Sequence, residues 1–66
     1  MKIEVGAIYE THDRKLFKVI GFDHLHNEAK CESVGSFKLT QFFPVELFKG
    51  CFSRKVTKLE NIILSN

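Results

Sequence analysis

Phe37-Lys38-Leu39-Thr40-Gln41-Phe42-Phe43-Pro44-Val45-Glu46-Leu47-Phe48 decides how this chain is read. Up to Phe43 it has the period of two that marks a strand buried on one face. Pro44 then removes a backbone donor and fixes its own φ, so a ladder cannot run on unchanged. Val45 to Phe48 is too short for an ordinary helix and suits a single 3₁₀ or α turn, with Gly50 expected to end it. A strand, a proline break, one helical turn and a further strand are parts of a small β-barrel.

The segment before this stretch sets the pairing. In Glu28-Ala29-Lys30-Cys31-Glu32-Ser33, small or apolar residues alternate with charged ones, and Phe37 and Leu39 alternate with Lys38 and Thr40. A two-residue turn through Gly35-Ser36 would mix the faces, whereas the three-residue connection Val34-Gly35-Ser36 puts Ser33 opposite Phe37 and Cys31 opposite Leu39. That register sends Phe37 and Leu39 into the core, sets Glu32 opposite Lys38 outside, turns Phe42 outward and returns Phe43 inward.

Toward the amino terminus, Ala7-Ile8-Tyr9-Glu10 and Leu16-Phe17-Lys18-Val19-Ile20-Gly21-Phe22 flank the polar turn Thr11-His12-Asp13-Arg14 and predict a hairpin. The second run is apolar at both parities, as for a central strand covered on both faces, with a bulge or bend at Gly21. His24-Leu25-His26-Asn27 reads as a connection. Toward the carboxyl terminus, Cys51 to Thr57 reads as a last strand with Phe52 and Val56 on one face. Leu59, Ile62 and Ile63 have helical spacing, while Asn61 to Leu64 also fits an edge strand.

Length and composition agree with one small all-β domain. Sixty-six residues lie near the lower limit for a core without staples, and seven phenylalanines and one tyrosine supply large apolar groups. The chain reads as a single domain, barrel over 5–57 and tail over 58–66. Lys2 and Glu4 fall where a signal peptide needs apolar residues, and no apolar run approaches the roughly 20 residues of a membrane span. The expectation is a cytoplasmic protein with no membrane partner, whose Cys31 and Cys51 stay reduced. A net charge of +2, mixed in sign along the chain, is a weak footprint for nucleic acid.

Four to five short antiparallel strands with a one-turn break before the last resemble the SH3-like barrel, the architecture shared by KOW and Tudor modules and many small bacterial and phage proteins. Within it, Val5-Gly6-Ala7-Ile8-Tyr9-Glu10, Phe17-Lys18-Val19-Ile20-Gly21-Phe22 and Phe43-Pro44-Val45-Glu46-Leu47-Phe48 are similar to a Gly-x-x-Tyr, Val-Ile-Gly, Pro-x-x-x-Phe pattern of short bacterial proteins. The resemblance spans roughly residues 5–56 and implies an architecture without implying an activity. KOW-type modules carry more glycine and a stronger basic face than this chain.

The candidate chemistry is sparse. His24, His26, Cys31 and Cys51 are zinc-competent, and His-x-His on a strand would share a face, but paired Cys-x-x-Cys or His-x₃₋₅-His spacing is missing, so neither metal nor cofactor is expected. Serines, histidines and Asp13 or Asp23 supply nucleophile and base types in no recognisable arrangement, and a barrel this small fills its interior with side chains, so no enzyme is expected. Binding is what remains. Tyr9 and Phe42 with Lys30, Lys38, Lys49, Arg54 and Lys55 form the expected contact patch, since aromatic anchors dominate protein interfaces. A protein partner is the leading reading. RNA or DNA through the same cations is the alternative, and self-pairing through an edge strand or the tail is a third outcome.

Overall fold

The computed structural model describes residues 2–56. Five strands, β1 (Ile8–Thr11), β2 (Leu16–Asp23), β3 (Glu28–Ser33), β4 (Thr40–Pro44) and β5 (Phe52–Val56), form one antiparallel sheet in the order β4-β3-β2-β1-β5. A 3₁₀ turn (Val45–Leu47) leads into a single α turn, α1 (Phe48–Cys51), between β4 and β5. The expected all-β architecture with a helical turn after Pro44 is therefore present. The turn runs one residue past Gly50, because Phe52 takes the cap and donates its N–H to the Phe48 carbonyl oxygen. The expected tail elements at Leu59 to Leu64 lie outside the described residues.

The first hairpin closes where the polar turn predicts it. Thr11 N–H donates to the Lys15 carbonyl oxygen at 2.8 Å, Arg14 N–H to the Thr11 carbonyl oxygen at 3.0 Å, and Lys15 N–H to the Thr11 hydroxyl at 2.9 Å. Tyr9 then pairs with Phe17 and Ile8 with Lys18. In β2 the register shifts between Val19 and Gly21, leaving Ile20 as the extra residue of a bulge. The bulge switches the side-chain parity, so that Phe17 and Val19 before it and Phe22 after it all face the core. This is why β2 is apolar at both parities. The expectation that both its faces are covered is overturned, since Ile20 lies on the outer face, 38% exposed.

The β3–β4 register differs from the expected one by two residues. Ala29 pairs with Phe43, Lys30 with Phe42, Cys31 with Gln41 and Glu32 with Thr40, so the connection is six residues, Val34 to Leu39. Ser33 holds it. Its hydroxyl donates to the Phe37 carbonyl oxygen at 3.0 Å and accepts the Leu39 N–H at 2.8 Å, while its N–H donates to the Leu39 carbonyl oxygen at 2.8 Å. The slip keeps the face parity but sets Phe43 over the small Ala29, where its ring meets Phe17 at 5.3 Å and Phe52 at 4.9 Å between centroids. In the shorter register Phe43 would lie beyond the end of β3. Phe37 and Leu39, expected in the core, are instead 75% and 52% exposed.

The core is Tyr9, Phe17, Val19, Ala29, Cys31, Phe48 and Phe52, with Phe22 and Phe43 packed against it. Of the three apolar residues after Pro44, it is Phe48 that closes the core, stacked on Phe52 at 4.3 Å, while Leu47 is exposed. In β5 a second bulge at Ser53 separates the Thr11–Phe52 and Glu10–Arg54 pairs, and Ser53 donates its hydroxyl to the Glu10 carbonyl oxygen at 3.1 Å. The extra residue sends Val56 to the face of its partner Ile8, opposite that of Phe52, which corrects the expectation that they share a face.

Candidate functional site

The expected contact patch is dispersed by the fold. Tyr9, expected as an exposed member, has no accessible surface. Its ring sits edge-on to Phe48 at 5.1 Å and Phe52 at 6.1 Å, and its hydroxyl accepts the Glu4 N–H and donates to the Lys2 carbonyl oxygen, both at 2.9 Å. The hydroxyl is thus satisfied indoors, which offsets the cost of burying the tyrosine and ties the amino-terminal segment to the core. Arg54 and Lys55 lie on β5 at one edge of the sheet, where Arg54 Nε pairs with Glu10 Oε1 at 2.8 Å and Lys55 pairs with Glu4. Lys49 is exposed on α1.

Phe42 and Lys30 remain together, on the outer face of β4 and β3, while Lys38 lies in the connection between these strands. Phe42 is 48% exposed and directly opposite Lys30. Lys38 reaches Glu32 at 3.7 Å, so this charge pair exists although the two residues are not ladder partners.

A different surface sets two exposed large apolar side chains, Phe37 and Leu39, beside one groove. Between the Thr11–Lys15 turn and the Val34–Leu39 connection, at one end of the rolled sheet, lies an open groove of about 670 Å³. Phe17 and Phe43 form its floor where the core reaches the surface, Leu16 and Val34 its walls, and Phe37 and Leu39 its lip. Gln41, Ser33 and the thiol-bearing Cys51 also line it, and the turn contributes Thr11, Asp13, Arg14 and Lys15. The sequence reading misses this groove because it places Phe37 and Leu39 inside. The signal that could have found it is Ser33-x-Gly35-Ser36, a set of turn formers long enough to hold a loop open rather than a tight hairpin.

The remaining polar clusters have structural partners. Asp23 accepts the N–H groups of Leu25 and His26 at 3.1 and 3.3 Å, and its second oxygen meets His26 Nδ1 at 2.8 Å. That contact holds the Asp23 carboxyl below its ordinary pKa and raises that of the His26 imidazole. Asp23, His26 and Glu28 bring ligand-type atoms within 4.8 Å of one another, the one such set among the described residues. The four zinc-competent residues read from the sequence do not assemble. His24 stacks on Phe22 at 6.2 Å, His26 turns to Asp23, and Cys31 is fully buried, its thiol pushed up to about 11 by burial. Both cysteines are free.

Among the described residues no helix is long and apolar enough to cross a membrane. The chain matches no family model, no curated protein and no solved structure.

Proposed function

We propose that the protein is a non-enzymatic interaction module of the SH3-like kind, which holds an apolar segment of a partner protein in the groove at the end of the sheet. The strand order, with β5 returning beside β1 after a one-turn helix, supports the architectural part of this reading. The observation that carries the binding part is the pair Phe37 and Leu39, kept 75% and 52% exposed by a loop that Ser33 pins. Leaving two large apolar side chains in water beside an apolar floor costs solvation free energy that a partner recovers, at about 25 cal/mol per Å² covered. A cytoplasmic setting fits the free thiols of Cys31 and Cys51.

A second reading rests on Phe42. Its half-exposed ring lies opposite Lys30, with Gly21 on the far side of Lys30, so a base could stack on it while the ammonium meets a phosphate. It is the weaker reading because Lys38, Arg54 and Lys55, three of the other four cations expected to meet nucleic acid, are paired with glutamates.

Affinity capture from a lysate of the source organism, with and without nuclease, separates the two. The groove reading expects a protein retained by wild type and by Phe42→Ser, lost with Phe37→Ser/Leu39→Ser, and indifferent to nuclease. Loss with Phe42→Ser or with nuclease overturns it.

A further inference from the structure

Among the described residues, one charge on the rim of the groove enters no ion pair. Asp13, Arg14 and Lys15 stand there, and Asp13 is engaged by the Thr11 hydroxyl and by Lys15 Nζ at 3.7 Å. Among the described residues Arg14 enters no ion pair, so the rim keeps an excess of one positive charge beside an apolar floor.

Arg14 is also held against its backbone preference. Its φ is 67°, the left-handed region in which glycine and asparagine are at ease and a long side chain is not. The turn itself asks only for a residue that tolerates this conformation, and a glycine there would be less strained. A non-glycine residue kept in a costly conformation at the edge of a binding groove points to work done by its side chain.

We infer that Arg14 receives a carboxylate, and that the occupant of the groove is an extended peptide segment of a partner protein in which a large apolar side chain stands beside an aspartate or glutamate. The apolar side chain lies over Phe17 and Phe43 between Phe37 and Leu39, and the carboxylate meets the guanidinium at the rim. The planar fork of arginine donates to both oxygens of a carboxylate at once, a geometry lysine does not offer. The inference rests on the groove being the docking site proposed above.

Selection from a random heptapeptide display library against the wild-type protein and Arg14→Gly tests it. Wild type is expected to enrich peptides with a large apolar residue within two positions of Asp or Glu. Arg14→Gly is expected to melt higher, by roughly 4 °C, as strain is relieved, yet to bind the selected peptides about tenfold or more weaker. A gain in stability with a loss of binding is what a purely structural turn residue would not give. Peptides that lose affinity with Phe37→Ser but not with Arg14→Gly, or that carry no acidic residue, overturn the carboxylate assignment and leave the docking site standing. Peptides indifferent to Phe37→Ser, or no enrichment at all, overturn both. An Arg14→Gly protein that melts no higher than wild type removes the strain argument and overturns the role assigned to Arg14.

Discussion

Phe43 and Phe52 belong to the two outermost strands of a five-stranded sheet, yet their ring centroids are 4.9 Å apart. In a flat sheet the edges would stand about 19 Å apart, four strand spacings. The sheet is therefore rolled on itself around the aromatic cluster of Tyr9, Phe17, Phe43, Phe48 and Phe52, with the bulges in β2 and β5 supplying local bends.

Truncating that cluster should unfold the protein. Phe52→Ala removes a ring that meets four other aromatics and should cost about 3–5 kcal/mol, against a total of roughly 3–10 kcal/mol for a chain of this size. Urea unfolding followed by far-UV circular dichroism should lose its cooperative transition. Phe37→Ala, on the exposed lip, should stay within about 0.5 kcal/mol of wild type. Equal effects at the two positions would contradict the placement of the core.

Tyr9→Phe keeps the ring and deletes the hydroxyl that joins Glu4 N–H and the Lys2 carbonyl oxygen. The expected loss is about 1–2 kcal/mol, with the amide of Glu4 exchanging faster with solvent while the β1–β2 amides stay protected. Unchanged exchange at Glu4 would count against the anchoring of the amino-terminal segment.

The Asp23–His26 contact predicts a pH signature. His26 binds its proton more tightly in the folded protein than its ordinary 6.5, chiefly through the hydrogen bond to Asp23, so its contribution is complete below 6.5 and fades as pH rises through the folded midpoint above it. Asp23 binds its proton less tightly than its ordinary 3.8, chiefly through the same bond, so its contribution is present above 3.8 and fades as pH falls through the folded midpoint below it. Both operate together between 3.8 and 6.5. NMR titration of the His26 ring should give a midpoint above 6.5 that Asp23→Asn brings down, and a midpoint indifferent to that substitution would exclude the pair.

How far the sequence announces all this differs by element. The first hairpin, the bulge at Ile20 beside Gly21 and the helical turn after Pro44 are legible because polar turn formers, a glycine and a proline mark them locally. The β3–β4 register is not. Alternation distinguishes a slip of one residue, which flips every side chain, but is blind to a slip of two. What decides between them is the seat of Phe43 over Ala29 and the grip of the Ser33 hydroxyl on the loop, both products of tertiary contact. The bulge at Ser53 carries no glycine to mark it, so the strand pattern alone puts Val56 on the wrong face. Tyr9 looks exposed in the sequence because its hydroxyl has no partner in the local pattern, and its partners are backbone groups of Lys2 and Glu4.

The two thiols should differ in reactivity. Cys31 is fully buried and its pKa is pushed up to about 11, whereas Cys51 is half-buried on the groove wall. Iodoacetamide near neutral pH should label Cys51 in the native protein and Cys31 only after denaturation, because the thiolate is the reacting species. Labelling of Cys31 at the native rate of Cys51 would contradict its burial, and mass spectrometry of the digested protein reads both sites.

Amide chemical-shift mapping with 2-phenylethanol, a neutral stand-in for an apolar side chain, tests the docking site directly and needs no partner protein. The largest shifts should fall on Leu16, Val34, Phe37, Leu39 and Gln41 and should vanish in Phe37→Ser/Leu39→Ser. Shifts centred on Ile20, Lys30 and Phe42, or spread evenly over the sheet, would contradict the groove as the surface on which this protein works.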